Sequence, residues 1–358
     1  MTKKLPTTVI GSFPKPDYLP IRDWFDSARD RGTMNAPDVT LDYSSWSSGS
    51  SLSDADEALF CRAAEEVIGL QVDAGVDVPT DGEVRRENYI HYHCRHVTGI
   101  DFKDLEHRIL RDGAYETDLP AIRGPVSHDG PAYSPHDFAA SQAVSARPVK
   151  FTLPGPLTIM DTTADCHYHD RPRLAAELAT TVNKEILALV EAGCSHIQVD
   201  EPLFARQVGD AKEFGLEGLE RCFHKVPAHV SRVVHICCGY PDHLDDEDYK
   251  KADPDSYHQL ASGMDDLAID QVSIEDAHCC NDLALLEKFQ KTSVIFGSVA
   301  VARSRVETVD EVIDRIRAAL AHIDRDRLVI APDCGLGMLT RDLAVAKLKV
   351  MCDAAAMA

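Results

Sequence analysis

Residues 174–200, LAAELATTVNKEILALVEAGCSHIQVD, decide the fold. Leu174, Leu178, Val182, Ile186 and Val190 recur at helical spacing and lay one apolar stripe along a helix, which reads as a core face rather than a cofactor contact. Glu191-Ala-Gly193 ends that helix with a glycine suited to the left-handed cap, and His196-Ile-Gln-Val-Asp200 follows as a short strand. The same join occurs earlier, where Asp73-Ala-Gly75 leads into Val76-Asp-Val-Pro-Thr-Asp-Gly-Glu83. Further β-rich runs stand at Thr7-Thr-Val-Ile-Gly-Ser12, Val149-Lys-Phe-Thr-Leu153, Val233-Val-His-Ile-Cys237, Gln271-Val-Ser-Ile-Glu275, Ser293-Val-Ile-Phe-Gly297 and Leu328-Val-Ile-Ala331. Strands alternating with helical stretches are the mark of βα units on a parallel sheet, and eight of them predict an α/β chain folded as one (β/α)8 TIM barrel over residues 1–358.

Two stretches exceed an ordinary connection. Residues 14–53, rich in Ser, Asp and Pro, read as a loop, and residues 89–147, between the second and third runs, read as a lid or extra hairpin; both are expected at the catalytic face. The chain has 358 residues with 59 acidic against 37 basic, a formal charge of −22, which disfavours binding to nucleic acid or to anionic membrane surfaces. No run approaches the roughly 20 apolar residues that span a bilayer, and the start shows no targeting segment, so the expectation is a cytoplasmic protein. Eleven cysteines without a secretory signal argue for free thiols or metal ligands over a disulfide framework.

In a parallel barrel the active site forms at the carboxyl ends of the strands. Those ends carry Gly11-Ser12, Asp81-Gly-Glu83, Asp200-Glu-Pro202, His235-Ile-Cys237-Cys238, Glu275-Asp276 and Pro332-Asp-Cys334-Gly335. Residues two apart on a strand share a face, so His235 and Cys237 make a metal-ligand pair, and Glu275 and Cys334 converge on the same axis. A lone buried Cys or His usually only packs; four such groups at strand ends form an N, S, O, S set suited to tetrahedral zinc. Cys238, His278, Cys279 and Cys280 lie close enough in sequence to replace or supplement a ligand, whereas Cys61, Cys94, Cys166, Cys194, Cys222 and Cys352 read as structural. Such a sulfur-rich site suits activation of a substrate thiol for attack on an electrophilic carbon, because zinc deprotonates a coordinating thiol outright. Glu83 and Asp200 are then aimed at a cationic group of the substrate, or else form an ion pair with Arg85 or Arg86.

Leu5-Pro-Thr-Thr-Val-Ile-Gly-Ser-Phe-Pro14, Asp81-Gly-Glu83, Gly155-Pro-Leu-Thr158, Ile197-Gln-Val-Asp-Glu-Pro202, His235-Ile-Cys237, Ser273-Ile-Glu275 and Pro332-Asp-Cys-Gly335 resemble, in order and context, the catalytic barrel of cobalamin-independent methionine synthases. The resemblance covers nearly the whole chain and is to the short members that lack a second, N-terminal barrel. It implies Zn2+ held by His235, Cys237, Glu275 and Cys334. It further implies an amino-acid thiol held near Ile10, Ser12, Glu83 and Asp200, with methyl transfer to homocysteine giving methionine, as in the methyltetrahydropteroyltriglutamate-homocysteine methyltransferases. Two departures stand out. Ile159-Met-Asp-Thr-Thr163 lacks the aromatic residue that the family places there to stack on a pterin, which points to a corrinoid or small methyl carrier over a polyglutamyl folate. Arg303 stands where the family has a proton-donor histidine. An arginine there opens a rival within the superfamily, epoxyalkane:coenzyme M transfer, against which Glu83 and Asp200 speak, since two carboxylates repel a sulfonate. Catalytic groups beyond the zinc ligands are not assigned by the resemblance.

Overall fold

The computed structural model describes residues 4–19, 21, 53–110, 115–241, 243–247, 249–253 and 255–358, with backbone alone at 110 and 115–117. Most of the stretch 14–53 thus lies outside the described residues. The core is a six-stranded parallel sheet in the order β3 (Lys150–Pro154), β5 (His196–Asp200), β6 (Ser231–Ile236), β7 (Gln271–Ile274), β8 (Ser293–Gly297) and β9 (Leu328–Ala331). Each pair is in register at its carboxyl end, so that Pro154 faces Asp200, Asp200 faces His235 and Gly297 faces Ala331.

Six of the eight expected runs are therefore strands, and the other two are not full ladders. Thr7 bridges Ile330, Thr8 bridges Val78 and Thr80 bridges Lys150, all in parallel, so these two segments connect the outer strands β9 and β3. Local chemistry explains the short pairing. The Asp77 carboxylate accepts the Thr7 N–H at 3.0 Å, the Thr7 hydroxyl accepts the Asp77 N–H at 3.0 Å, and Pro79 has no N–H to give and offers only its carbonyl to Lys150 N–H at 2.8 Å.

Helices pack on the outside. Helix α1 (Asp54–Asp73) is opened by a Ser53 capping box, and α5 (Arg171–Glu191) buries Leu174, Leu178, Val182 and Ile186 as its spacing predicts. Both end as read from sequence, with Gly75 at φ +103° and Gly193 at φ +89°. The face of the sheet away from the helices carries a separate apolar layer of Ile10, Val233, Ile295, Val329 and Ala331. Above it, at the strand ends, the same face turns polar.

The stretch 89–147 holds a short helix α2 (Tyr89–Cys94), a long antiparallel hairpin of β1 (Thr98–Leu110) and β2 (Tyr115–Ser127), and helix α3 (Ser134–Ala143). The two-residue strand β4 (Ala164–Asp165) joins β2 in parallel and ties the hairpin to the segment after α4 (Pro156–Asp161).

Candidate active site at the strand ends

Two polar groups meet at the carboxyl ends of the strands. The first is sulfur-rich. His235 and Cys237, at the end of β6, and Cys334, just past β9, bring their ligand atoms within 4.8 Å of one another. His235 Nε2 lies 3.3 Å from Cys334 Sγ, while Nδ1 lies 3.0 Å from Ser273 Oγ on β7. Burial holds the imidazole neutral, pushing its pKa down to about 3, and in the Nδ1–H tautomer the ring donates to Ser273 and turns the Nε2 lone pair to the sulfurs. The neighbouring Cys237 thiol, together with burial, pushes the Cys334 thiol up.

Glu275, the fourth expected ligand, points elsewhere. Its Oε1 accepts from Lys251 Nζ at 2.7 Å and from Cys279 Sγ at 2.6 Å, and its Oε2 from Tyr240 OH at 2.7 Å. It is grouped by distance with Cys238 and Cys279 rather than with His235. The loop that carries it is tied to the residue before Cys334. Asp333 accepts the backbone N–H groups of Asp276 and Ala277 at 2.9 Å and of His278 at 2.8 Å, and Arg315 grips Asp276 at 2.6 and 2.8 Å. Tyr257 OH donates to Ile236 O and accepts from Glu275 N–H, both at 3.2 Å, which fixes the ends of β6 and β7 to each other. His278 spends Nε2 on the Ala302 N–H at 3.1 Å, and Cys280 and Arg303 are exposed.

The second group is carboxylate-rich. Gln198 Nε2 donates to Ile10 O and to Asp200 Oδ1, each at 2.7 Å, so one amide side chain joins two of the expected substrate residues. Glu83 accepts from Thr152 Oγ1 at 3.0 Å, and Arg86 stands 3.8 Å from Glu83 and 4.0 Å from Asp81 while donating to Thr152 at 2.9 Å. Of the two arginines weighed as ion-pair partners, Arg86 is the near one; Arg85 turns to Glu57 at 2.9 Å and to Asp137. Burial raises the pKa of both Glu83 and Asp200, and the charge of Glu83 raises Asp200 further. Gly82 and Glu83 both hold left-handed backbone, at φ +66° and +59°. A Cβ on Gly82 would lie 2.5 Å from Val67 Cγ1, so glycine there is demanded by the fold that aims Glu83. Ser12 is bound to the loop after Cys334: its carbonyl accepts the Leu336 N–H at 2.7 Å and its Oγ the Gly337 N–H at 3.3 Å. Ser12 thereby links the two groups.

Several participants escaped the sequence reading. The Tyr89 phenol at the start of α2 is pushed up by burial and by the charges of Asp200, Cys237, Cys334 and Glu83. Lys150 begins β3, and its Nζ is buried without a hydrogen-bond partner among the described residues, as is Gln198 Oε1. Burial pushes its pKa down to about 7, against the opposing pull of Asp200. Glu201, in contrast, is structural: it accepts the N–H groups of Leu157 at 2.9 Å and Thr158 at 3.0 Å and the Thr158 hydroxyl at 2.8 Å, capping α4. That cap accounts for Gly155-Pro-Leu-Thr158, because a Cβ on Gly155 would collide with Glu201.

Comparison with known proteins agrees over nearly the whole chain. Residues 42–357 match the family model "Cobalamin-independent synthase, Catalytic domain". A methionine synthase of Saccharolobus solfataricus is 30% identical over 350 residues, covering 97% of this chain and 92% of the relative. One of Sulfolobus acidocaldarius is 28% identical over 346 residues, covering 96% and 89%. The solved structure of a B12-independent methionine synthase from Shewanella sp. W3-18-1, in complex with selenomethionine, superposes with a TM-score of 0.83 at 28% identity and covers 99% of this chain and 98% of its own.

Proposed function

The chain belongs to the cobalamin-independent methionine synthase family and is a homocysteine methyltransferase of that family, and we propose how its strand-end residues divide the work. The frame is a closed (β/α)8 barrel, with 89–147 as an insertion at its catalytic mouth. The single bridges from Thr7, Thr8 and Thr80, which connect β9 to β3, support that closure. The sulfur-rich group is the zinc site, held by His235, Cys237 and Cys334 with Glu275 as the fourth ligand after its carboxylate leaves Lys251. The observation that carries this reading is a buried imidazole with Nδ1 beside Ser273 Oγ and Nε2 facing two clustered thiols at one mouth of the sheet. Such donors fit zinc, and second-sphere support from Ser273 is what a metal-bound histidine requires. Zinc, when bound, lowers the pKa of the substrate thiol so that it is a thiolate at neutral pH.

The carboxylate group holds the amino acid. Glu83 and Asp200 are buried carboxylates close enough to repel, and a ligand ammonium between them relieves that repulsion and keeps both ionised. Gln198 fixes Asp200 against Ile10, Thr152 and Arg86 fix Glu83, and Ser12 keeps this platform beside Cys334. The Shewanella relative was solved in complex with selenomethionine, an analogue of methionine, which supports an amino-acid ligand for this chain as well. An anionic thiol such as coenzyme M is disfavoured by the same two carboxylates. Ile159-Met-Asp-Thr-Thr163 offers no aromatic ring to stack on a pterin, which supports a corrinoid or another small methyl carrier as donor. The test is product formation. Zinc-loaded protein with homocysteine and a panel of methyl donors forms methionine, and homocysteine left unmethylated by every donor contradicts the assignment.

A further inference from the structure

Cys237 and Cys238 follow each other past β6 and enter two different clusters. Cys237 joins His235 and Cys334. Cys238 faces Cys279 and Glu275, and the ligand atoms of these three residues also lie within 4.8 Å of one another. Two thiols and a carboxylate at this separation are a ligand set in their own right, softer than any oxygen cage and short of one ligand for a tetrahedron. A cation already sits against it: Lys251 Nζ is 2.7 Å from Glu275 Oε1, the oxygen that Cys279 Sγ approaches at 2.6 Å. Lys251 is held there by Gly239 O at 2.9 Å and by the face of Tyr240, 4.2 Å from the ring centroid. Cys238 and Glu275 are buried, and Cys279 is partly open to solvent, so a metal ion reaches the trio from the Cys279 side.

We propose that Cys238, Cys279 and Glu275 form a second binding site for a thiophilic divalent cation, next to the His235, Cys237 and Cys334 cluster, with the Lys251 ammonium as its competitor. Binding forms two metal–sulfur bonds and one metal–oxygen bond, releases the two thiol protons to solvent and displaces Lys251 from Glu275. The two thiols belong to this site alone, while its carboxylate is shared with the ligand set proposed above. Glu275 is common to this trio and to the ligand set proposed above, so the carboxylate is placed to pass an ion from the open side to the interior.

Cadmium titration tests the assignment, since each Cd–thiolate bond adds ultraviolet charge-transfer absorption. The full chain carries Cys280→Ser, so that its exposed thiol contributes nothing. Two Cd2+ bind per chain at saturation; Cys238→Ser or Cys279→Ser removes one ion and half of the absorption. Cys237→Ser with Cys334→Ser removes the other ion and leaves the Cys238 and Cys279 signal in place. Lys251→Met tightens the second ion by about tenfold or more, because an opposing charge is gone, a gain that a merely structural role for these residues does not produce. Saturation at one Cd2+, with absorption indifferent to Cys238→Ser and Cys279→Ser, overturns the proposal. So does one ion whose signal falls in both sets of variants, which would mean a single merged site. Failure of the first cluster reads out separately, as full binding in the Cys237→Ser, Cys334→Ser variant.

Discussion

His235 Nε2 and Cys334 Sγ, 99 residues apart in sequence, come within 3.3 Å at the carboxyl ends of β6 and β9. Those two strands do not pair with each other; β7 and β8 lie between them in the sheet. Only the curvature of the sheet and the loops past each strand bring the two residues together. Removing one sulfur should therefore empty the metal site without unfolding the chain. Cys237→Ser and Cys334→Ser are expected to lose most of their zinc by elemental analysis of the purified protein while keeping their circular dichroism, and full occupancy in both variants would contradict the ligand assignment.

Glu83→Gln keeps the shape of the side chain and removes one of the two charges proposed to hold the ligand ammonium. Loss of one partner from a buried charge pair costs about 2–5 kcal/mol. L-Methionine binding by calorimetry should weaken at least about 30-fold, with zinc content unchanged. Asp200→Asn should act in the same direction, and unaltered methionine affinity in both would assign the carboxylates to another task.

The sheet was legible because β-rich runs end in polar residues and helices end in Ala-Gly. His196–Asp200 and Ser293–Gly297 appear with the boundaries their residues predict. The runs at 7–12 and 76–83 were legible in place but not in kind, since Asp77 side-chain bonds and Pro79 replace ladder hydrogen bonds that no periodicity records. In the site, His235 and Cys237 could be read from a spacing of two on one strand. Lys251 could not: it reaches Glu275 from the long loop after β6, and nothing in the local pattern of a Lys marks such reach. The direction of Glu275 was likewise invisible, because it is set by Lys251 and Tyr240 across the loop after β6.

Gly82→Ala should be costly at a position that no substrate needs to touch. The new Cβ enters left-handed backbone and lies 2.5 Å from Val67 Cγ1 and 2.9 Å from Phe13 Cβ. Strain and overpacking of this kind cost about 1–3 kcal/mol each. A lowered urea midpoint with weakened methionine binding is the expected pair of results, since the turn that aims Glu83 must shift. A variant with wild-type stability and affinity would show that the turn tolerates a side chain.

Lys150 gives the fold a pH dependence of definite sign. The unfolded chain keeps this proton to about pH 10.4, whereas the native protein releases it near the value of about 7 to which burial pushes the group. The unfolded state thus binds more protons between those limits, and native stability rises with pH across that window. Lys150→Met removes the buried ammonium, so its stability relative to the parent should be greatest near about pH 7 and should shrink towards about pH 10. Urea midpoints of the two proteins at both ends of the window check this, and a constant difference would mean that native Lys150 keeps its proton across the window as the unfolded chain does.

In the proposed division of work the sulfur-rich cluster presents a metal to a substrate thiol while Glu83 and Asp200 hold the amino acid. Zinc X-ray absorption on the loaded protein, recorded with and without homocysteine, tests it most directly. The account predicts that a third sulfur joins those of Cys237 and Cys334 when homocysteine is added, with loss of an oxygen from the coordination shell, and that Glu83→Gln needs far more homocysteine to produce the same change. A shell that stays the same at saturating homocysteine, with zinc bound, would contradict it.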